Sequence, residues 1–212
     1  MTINHARPLD VLVVESHPGV GQAATDALTA AGHNVHHCHE PGAPSFPCKG
    51  LTEPDSCPVG PNLDVGLLVR RRVNPRPTEF EGGASCAIRA GVPLVELGPD
   101  VLDPFEQWVA GRAETEADVV DAVESAASDA LRTISSAVEQ HLSQLLENEG
   151  IAPGAIHCNI RRAHPRLVVH LQSDVVVSER VRHAIGVRAL DAIRAHMPVT
   201  YGEVTIKVDQ PA

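Results

Sequence analysis

Leu9–Val35 reads LDVLVVESHPGVGQAATDALTAAGHNV. Val11–Val14 is a short, wholly apolar run, the pattern of a strand buried on both faces of a parallel sheet. His17, Pro18 and Gly19 then punctuate the chain as a turn. Val20, Ala24, Ala27, Leu28 and Ala31 follow at helical spacing, and Gly32 stops the helix. A second strand is expected from Asn34. The same rhythm returns with a strand at Asp64–Val69 (DVGLLV), a short helix around Gly83–Ala90 and a strand at Val92–Leu97 (VPLVEL). Strands and helices alternating at such short intervals predict an open parallel α/β sheet with right-handed crossovers.

The opening LDVLVVESHPGVGQAATDALTAAGHNV resembles that of a response-regulator receiver domain, and VPLVELGP resembles the fourth strand of that family. The resemblance covers Pro8–Ala126 and implies a small flavodoxin- or receiver-like sheet. A working receiver carries an acidic pair after strand 1, a phosphate-accepting Asp ending strand 3, Ser or Thr ending strand 4 and Lys ending strand 5. Here those positions read Glu15 and Ser16, then Arg70, then Leu97 and Gly98, and no lysine lies between Lys49 and Lys207. A degenerate, non-phosphorylatable receiver is therefore expected, because phosphoryl transfer needs both the acceptor and a metal held by carboxylates.

The second half has a different rhythm. Thr115 and Asp118 stand in capping-box positions before a helix expected to reach about Asn148. Its apolar stripe is Val120, Val123, Ala127, Leu131, Ile134, Val138, Leu142 and Leu145. At 1.5 Å per residue it would be roughly 50 Å long, so it should either break near Ser125–Ser128 or bridge two halves. After Gly150 the alternation becomes two-residue, with Ile156, Cys158 and Ile160 and then Leu167, Val169 and Leu171 on one face. Ser178 should cap a helix to about His196, and Val204, Ile206 and Val208 should lie inward on a last strand. These elements predict an α+β domain of αββαβ order, and domains at 1–113 and 114–212. The stretch from Ser143 to Pro211 is similar in layout to the cytoplasmic domain of cation diffusion facilitators; alkaline-shock-type proteins use related arrangements. The likeness implies a tendency to form a homodimer and transfers no metal ligand.

A chain of 212 residues with 43% hydrophobic content is that of a globular protein. Its formal net charge of -10 argues against general nucleic-acid binding. No secretory signal and no long apolar segment is visible, so a cytoplasmic protein without membrane contact is expected. In that compartment clustered cysteines more often hold metal or react than form disulfides.

That rule bears on residues 33–59, HNVHHCHEPGAPSFPCKGLTEPDSCPV, which hold four histidines, five prolines and Cys38, Cys48 and Cys57. The prolines and glycines exclude a normal second helix, so a loop is expected there. Cys86 starts the following helix, and helix starts and strand ends meet at the carboxyl edge of a parallel sheet. Cys38, Cys48, Cys57 and Cys86 can thus converge beside the usual ligand crevice, with His37 or His39 as substitutes. Four thiolates suit zinc or an iron–sulfur cluster. The alternatives are a disulfide within the loop or idle thiols. Arg70, Arg71 and Arg72 are candidates for an anion site. Trp108 and Phe105 should be core or domain-interface packing residues.

The expected function is a non-catalytic regulatory or adaptor protein with an unidentified protein partner, binding a metal or cluster through cysteines. A metal-free interaction module and a thiol-dependent enzyme or redox protein are the alternatives.

Overall fold

The run after Leu9 forms β1 (Asp10–Glu15), followed by α1 (Gln22–Ala30) and β2 (Asn34–His37). After α2 (Lys49–Thr52), a single helical turn, the chain enters β3 (Val65–Val69), α3 (Gly82–Arg89), β4 (Leu94–Leu97) and β5 (Val109–Ala113). The computed structural model describes residues 7–39, 43–60, 62–99, 101–152, 154–163, 166–196 and 203–211. The five strands are all parallel and lie in the order β2-β1-β3-β4-β5. This is the flavodoxin and receiver order.

The apolar runs are continuous because the pleat divides each of them between two cores. Val11, Val13, Val65, Leu67 and Val69 face one side, where Ala24 and Leu28 of α1 and Val119, Val123, Ala126 and Ala127 pack. Leu12, Val14, Leu68 and Leu94 face the other side, against Ala84 and Ala87 of α3 and Phe105. Gly66 lets α3 approach, since a Cβ there would stand 3.3 Å from the Ala87 Cβ.

Thr115 and Asp118 form the expected capping box, ahead of α4 (Val119–Asn148). The helix is unbroken over its 30 residues. The chain divides into two compact units, Met1–Ser128 and Asp129–Ala212. The division falls later than residue 113 because Val119, Val123, Ala126 and Ala127 are built into the first core.

The second unit contains the rest of α4, then β6 (Ile156–Ala163), β7 (Arg166–Ser173), α5 (Glu179–His196) and β8 (Glu203–Asp209). Its sheet runs β6-β7-β8, with β6 antiparallel and β8 parallel to β7. Ile134, Val138, Leu142 and Leu146 of α4 and Val181, Ile185, Ala189 and Ile193 of α5 pack with Leu167, Val169 and Leu171. Burying a side chain of this size contributes about 1.5–3 kcal/mol. Cys158 packs against this core, as its alternation with isoleucines suggests. At the β6 edge the Cys158 N–H donates to Glu139 Oε1 at 2.7 Å, and the Ser135 hydroxyl donates to the Cys158 carbonyl. Two side chains of α4 thus satisfy backbone groups that an edge strand would otherwise present to another chain.

Candidate functional site

The carboxyl ends of β1, β2, β3 and β4 lie along one edge of the first sheet, and both candidate centres are there. Cys38 immediately follows β2, and its carbonyl accepts from the Lys49 N–H at 3.2 Å. Cys48 precedes α2, and Cys57 follows a 3-10 turn at Pro54–Ser56. The stretch Lys49–Thr52 therefore contradicts the expectation of a wholly irregular loop; it makes one turn before Pro54 stops it. Cys86 lies in α3.

Cys38, Cys48, Cys57 and Cys86 line one cavity of about 510 Å³, together with His39, Phe46, Val59 and Arg89. Two glycines back the sulfurs. A Cβ on Gly83 would stand 2.9 Å from Cys38 Sγ, and one on Gly50 would stand 3.1 Å from Cys57 Sγ. Arg89 Nη2 donates to Cys86 Sγ at 3.3 Å. All five cysteines of the chain are free thiols. Burial pushes the Cys38 thiol up to about 12, reinforced by the neighbouring Cys86, Cys57 and Cys48. His39 lines this cavity and is held below its ordinary value by burial and then by Lys49. His37 lines two neighbouring hollows instead. Among the described residues, no group of three or more His, Cys, Asp or Glu is arranged to hold a metal ion. The four thiols are gathered but not preformed as a ligand set.

The second centre occupies the position where the resemblance places the phosphate acceptor. Arg70 directly follows β3 and is only 1% exposed. Its Nε donates to Glu81 Oε1 at 2.7 Å, Nη2 to the Asn74 carbonyl at 2.7 Å, and Nη1 to Asp103 Oδ1 at 3.4 Å. Glu81 also accepts from the Thr78 N–H at 2.5 Å, which closes a capping box before α3. Arg112 of β5 donates to Glu96 Oε2, to Asp103 Oδ2 at 3.1 Å and to Glu106 Oε2 at 2.6 Å. Arg70 was expected at an anion site, and the structure corrects this: its guanidinium is enclosed and committed to the chain's own carboxylates. Arg71 pairs with Glu116 at 2.5 Å, and Arg72 is exposed.

The turn after β1 is occupied as well. The Glu15 carboxylate accepts from Gly19 N–H at 3.0 Å and Gly21 N–H at 2.8 Å. These are the amides that an external anion would use. Phe105 is a core residue, 3% exposed, whereas Trp108 is 46% exposed and is not part of the core.

No family model matches the chain, and no curated protein matches it. A solved structure described as the low-resolution structure of response regulator StyR is 17% identical to the chain, covering 92% of it and 94% of the other, with a TM-score of 0.34. The N-terminal unit is receiver-like by its own strand order and direction. The resemblance of the C-terminal half to cation diffusion facilitator domains finds no support beyond the order of its elements. Among the described residues no helix is long and apolar enough to cross a membrane.

Proposed function

We propose that the protein is a non-catalytic regulatory or adaptor module in which a receiver-like sheet binds a metal ion or an iron–sulfur cluster through Cys38, Cys48, Cys57 and Cys86. The observation that carries this reading is that four cysteines from separate segments line a single cavity. Gly50 and Gly83 give the sulfurs room, and Arg89 offsets thiolate charge. Loading would require Cys38 to lose a proton that its burial holds strongly. Metal affinity should therefore rise with pH. Loss of the centre would release the loop after β2 and change the surface it presents. The second unit would mediate homodimerisation, which light scattering of the purified chain measures.

The test is elemental analysis and visible absorption of the full chain purified without oxygen. One ion or cluster per chain is expected. The triple variant Cys38→Ser, Cys48→Ser, Cys57→Ser should lose it and melt at a lower temperature. A chain without stoichiometric zinc or iron would overturn the reading. The metal-free interaction module would then stand, favoured by the absence of a preformed ligand group among the described residues. A thiol enzyme using Cys48 or Cys57 with a neighbouring histidine is the third reading, which stoichiometric labelling of one unusually acidic thiol would favour.

A further inference from the structure

Glu81, Glu96 and Asp103 bring three carboxyl groups to the carboxyl edge of the first sheet, each with a fully enclosed side chain. Facing them are Arg70, directly after β3 and 1% exposed, and Arg112 of β5, 28% exposed. Glu106, on the connection into β5, shares Arg112 and is 66% exposed. Two guanidinium groups therefore meet three enclosed carboxyls and one exposed one.

The hydrogen bonds are unevenly shared. Glu81 receives Arg70 and the Thr78 amide, and Asp103 receives both arginines and the Phe105 amide at 2.8 Å. Glu96 Oε1 has no hydrogen-bond partner, and Arg70 Nη1 lies 3.8 Å from it. Glu96 and Asp103 also share both cations: Arg112 donates to each of them, and Arg70 Nη1 lies 3.4 Å from Asp103 Oδ1 and 3.8 Å from Glu96 Oε1. An enclosed carboxylate oxygen without a donor is costly, and a proton bound at Glu96 would remove that charge and supply a donor toward the neighbouring carboxyl.

We propose that the Glu96 and Asp103 carboxyl groups form a proton-binding site, which takes up one proton from solvent and thereby ties β4 to the connection that leads into β5. With the proton bound, Glu96 donates to Asp103, and the two guanidinium groups face two charged enclosed carboxyls, Glu81 and Asp103. When the proton leaves to solvent, two like charges face each other, and the connection carrying Asp103, Phe105 and Trp108 loosens. Burial, and then Asp103, push Glu96 up to about 7, while Arg112 and Arg70 pull it back. The folded value thus lies above the ordinary 4.5. The stabilisation is complete below the unfolded value and is lost as pH rises through about 7. At this edge the protein would respond to pH where a receiver responds to phosphate.

Trp108 is the only tryptophan and lies on the same connection. Its emission in the full chain should titrate with a midpoint near 7, and the melting temperature should fall by several degrees between pH 6 and pH 8. Glu96→Gln keeps a neutral donor toward Asp103, so it should abolish the emission change and flatten the melting curve. The same midpoint in Glu96→Gln as in the wild type would overturn the proposal. A measurement without any variant is the pH titration of the glutamate side-chain carboxyl 13C signals in the wild-type chain. One glutamate should titrate near 7; if all of them titrate below about 6, the site does not exist.

Discussion

Replacing Arg70 by leucine should remove about 3–5 kcal/mol of folding free energy, the usual cost of breaking an enclosed ion pair from one side. The substitution leaves Glu81 with only the Thr78 amide and takes one of two guanidinium groups from Asp103. None of these carboxyls can recover its hydration, since all are enclosed. A loss of this size is a large fraction of the roughly 5–15 kcal/mol that holds a typical domain folded. Urea unfolding followed by Trp108 emission reports on the first unit directly. Arg70→Leu combined with Glu81→Gln should recover part of the loss, because an unpaired charge is then no longer buried. If Arg70→Leu shifts the midpoint by less than about 1 kcal/mol, the ion network is not what holds this edge together.

Gly98→Ala should be nearly as costly, at about 3 kcal/mol, the upper end of overpacking effects. A Cβ on Gly98 would fall 2.4 Å from the Arg70 carbonyl oxygen and 3.0 Å from the Arg70 Cβ. The obstacle is backbone, which cannot swing aside as a side chain can, and it belongs to the residue that organises the network. Gly66→Ala is the control. Its added Cβ would meet the side chains of Ala87 and Leu94 at 3.3 Å, which can yield by a few tenths of an ångström. Comparable urea midpoints for the two variants would show that the approach of Gly98 to Arg70 is not a constraint.

The main sheet is legible in the sequence because three of its strands are apolar on both faces, a pattern that surface segments do not show. β5 is not legible in that way. Val109–Ala113 reads VAGRA, an edge strand with Arg112 in it, and lacks the apolar run that marks β1, β3 and β4. The long helix was readable as a stripe, but its ends turn by one position: Val119 and Leu146 are buried where Val120 and Leu145 were expected. A stripe followed over seven turns accumulates such drift, since small changes in helical twist add up. The meeting of the four cysteines in one cavity could be argued beforehand, because parallel topology brings strand ends and helix starts to one edge. What they hold cannot be read from that placement. The ion network was hidden for a different reason. Arg70 reaches partners 11 and 33 residues away, and RRRVNPR looks like a solvated basic run until β4 and β5 are placed beside it. Glu15 was similarly obscured, since nothing in HPGVG announces that the preceding carboxylate will fold back onto its amides.

The contacts of Ser135 and Glu139 with Cys158 have a consequence for assembly. They occupy part of the β6 margin, so the second sheet is asymmetric: one border is taken up by its own helix, and β8 forms the other. A sheet with one border partly taken up pairs less readily there than at β8. If copies of this chain join strand to strand, β8 to β8, the union is a closed pair related by a two-fold axis rather than an open array.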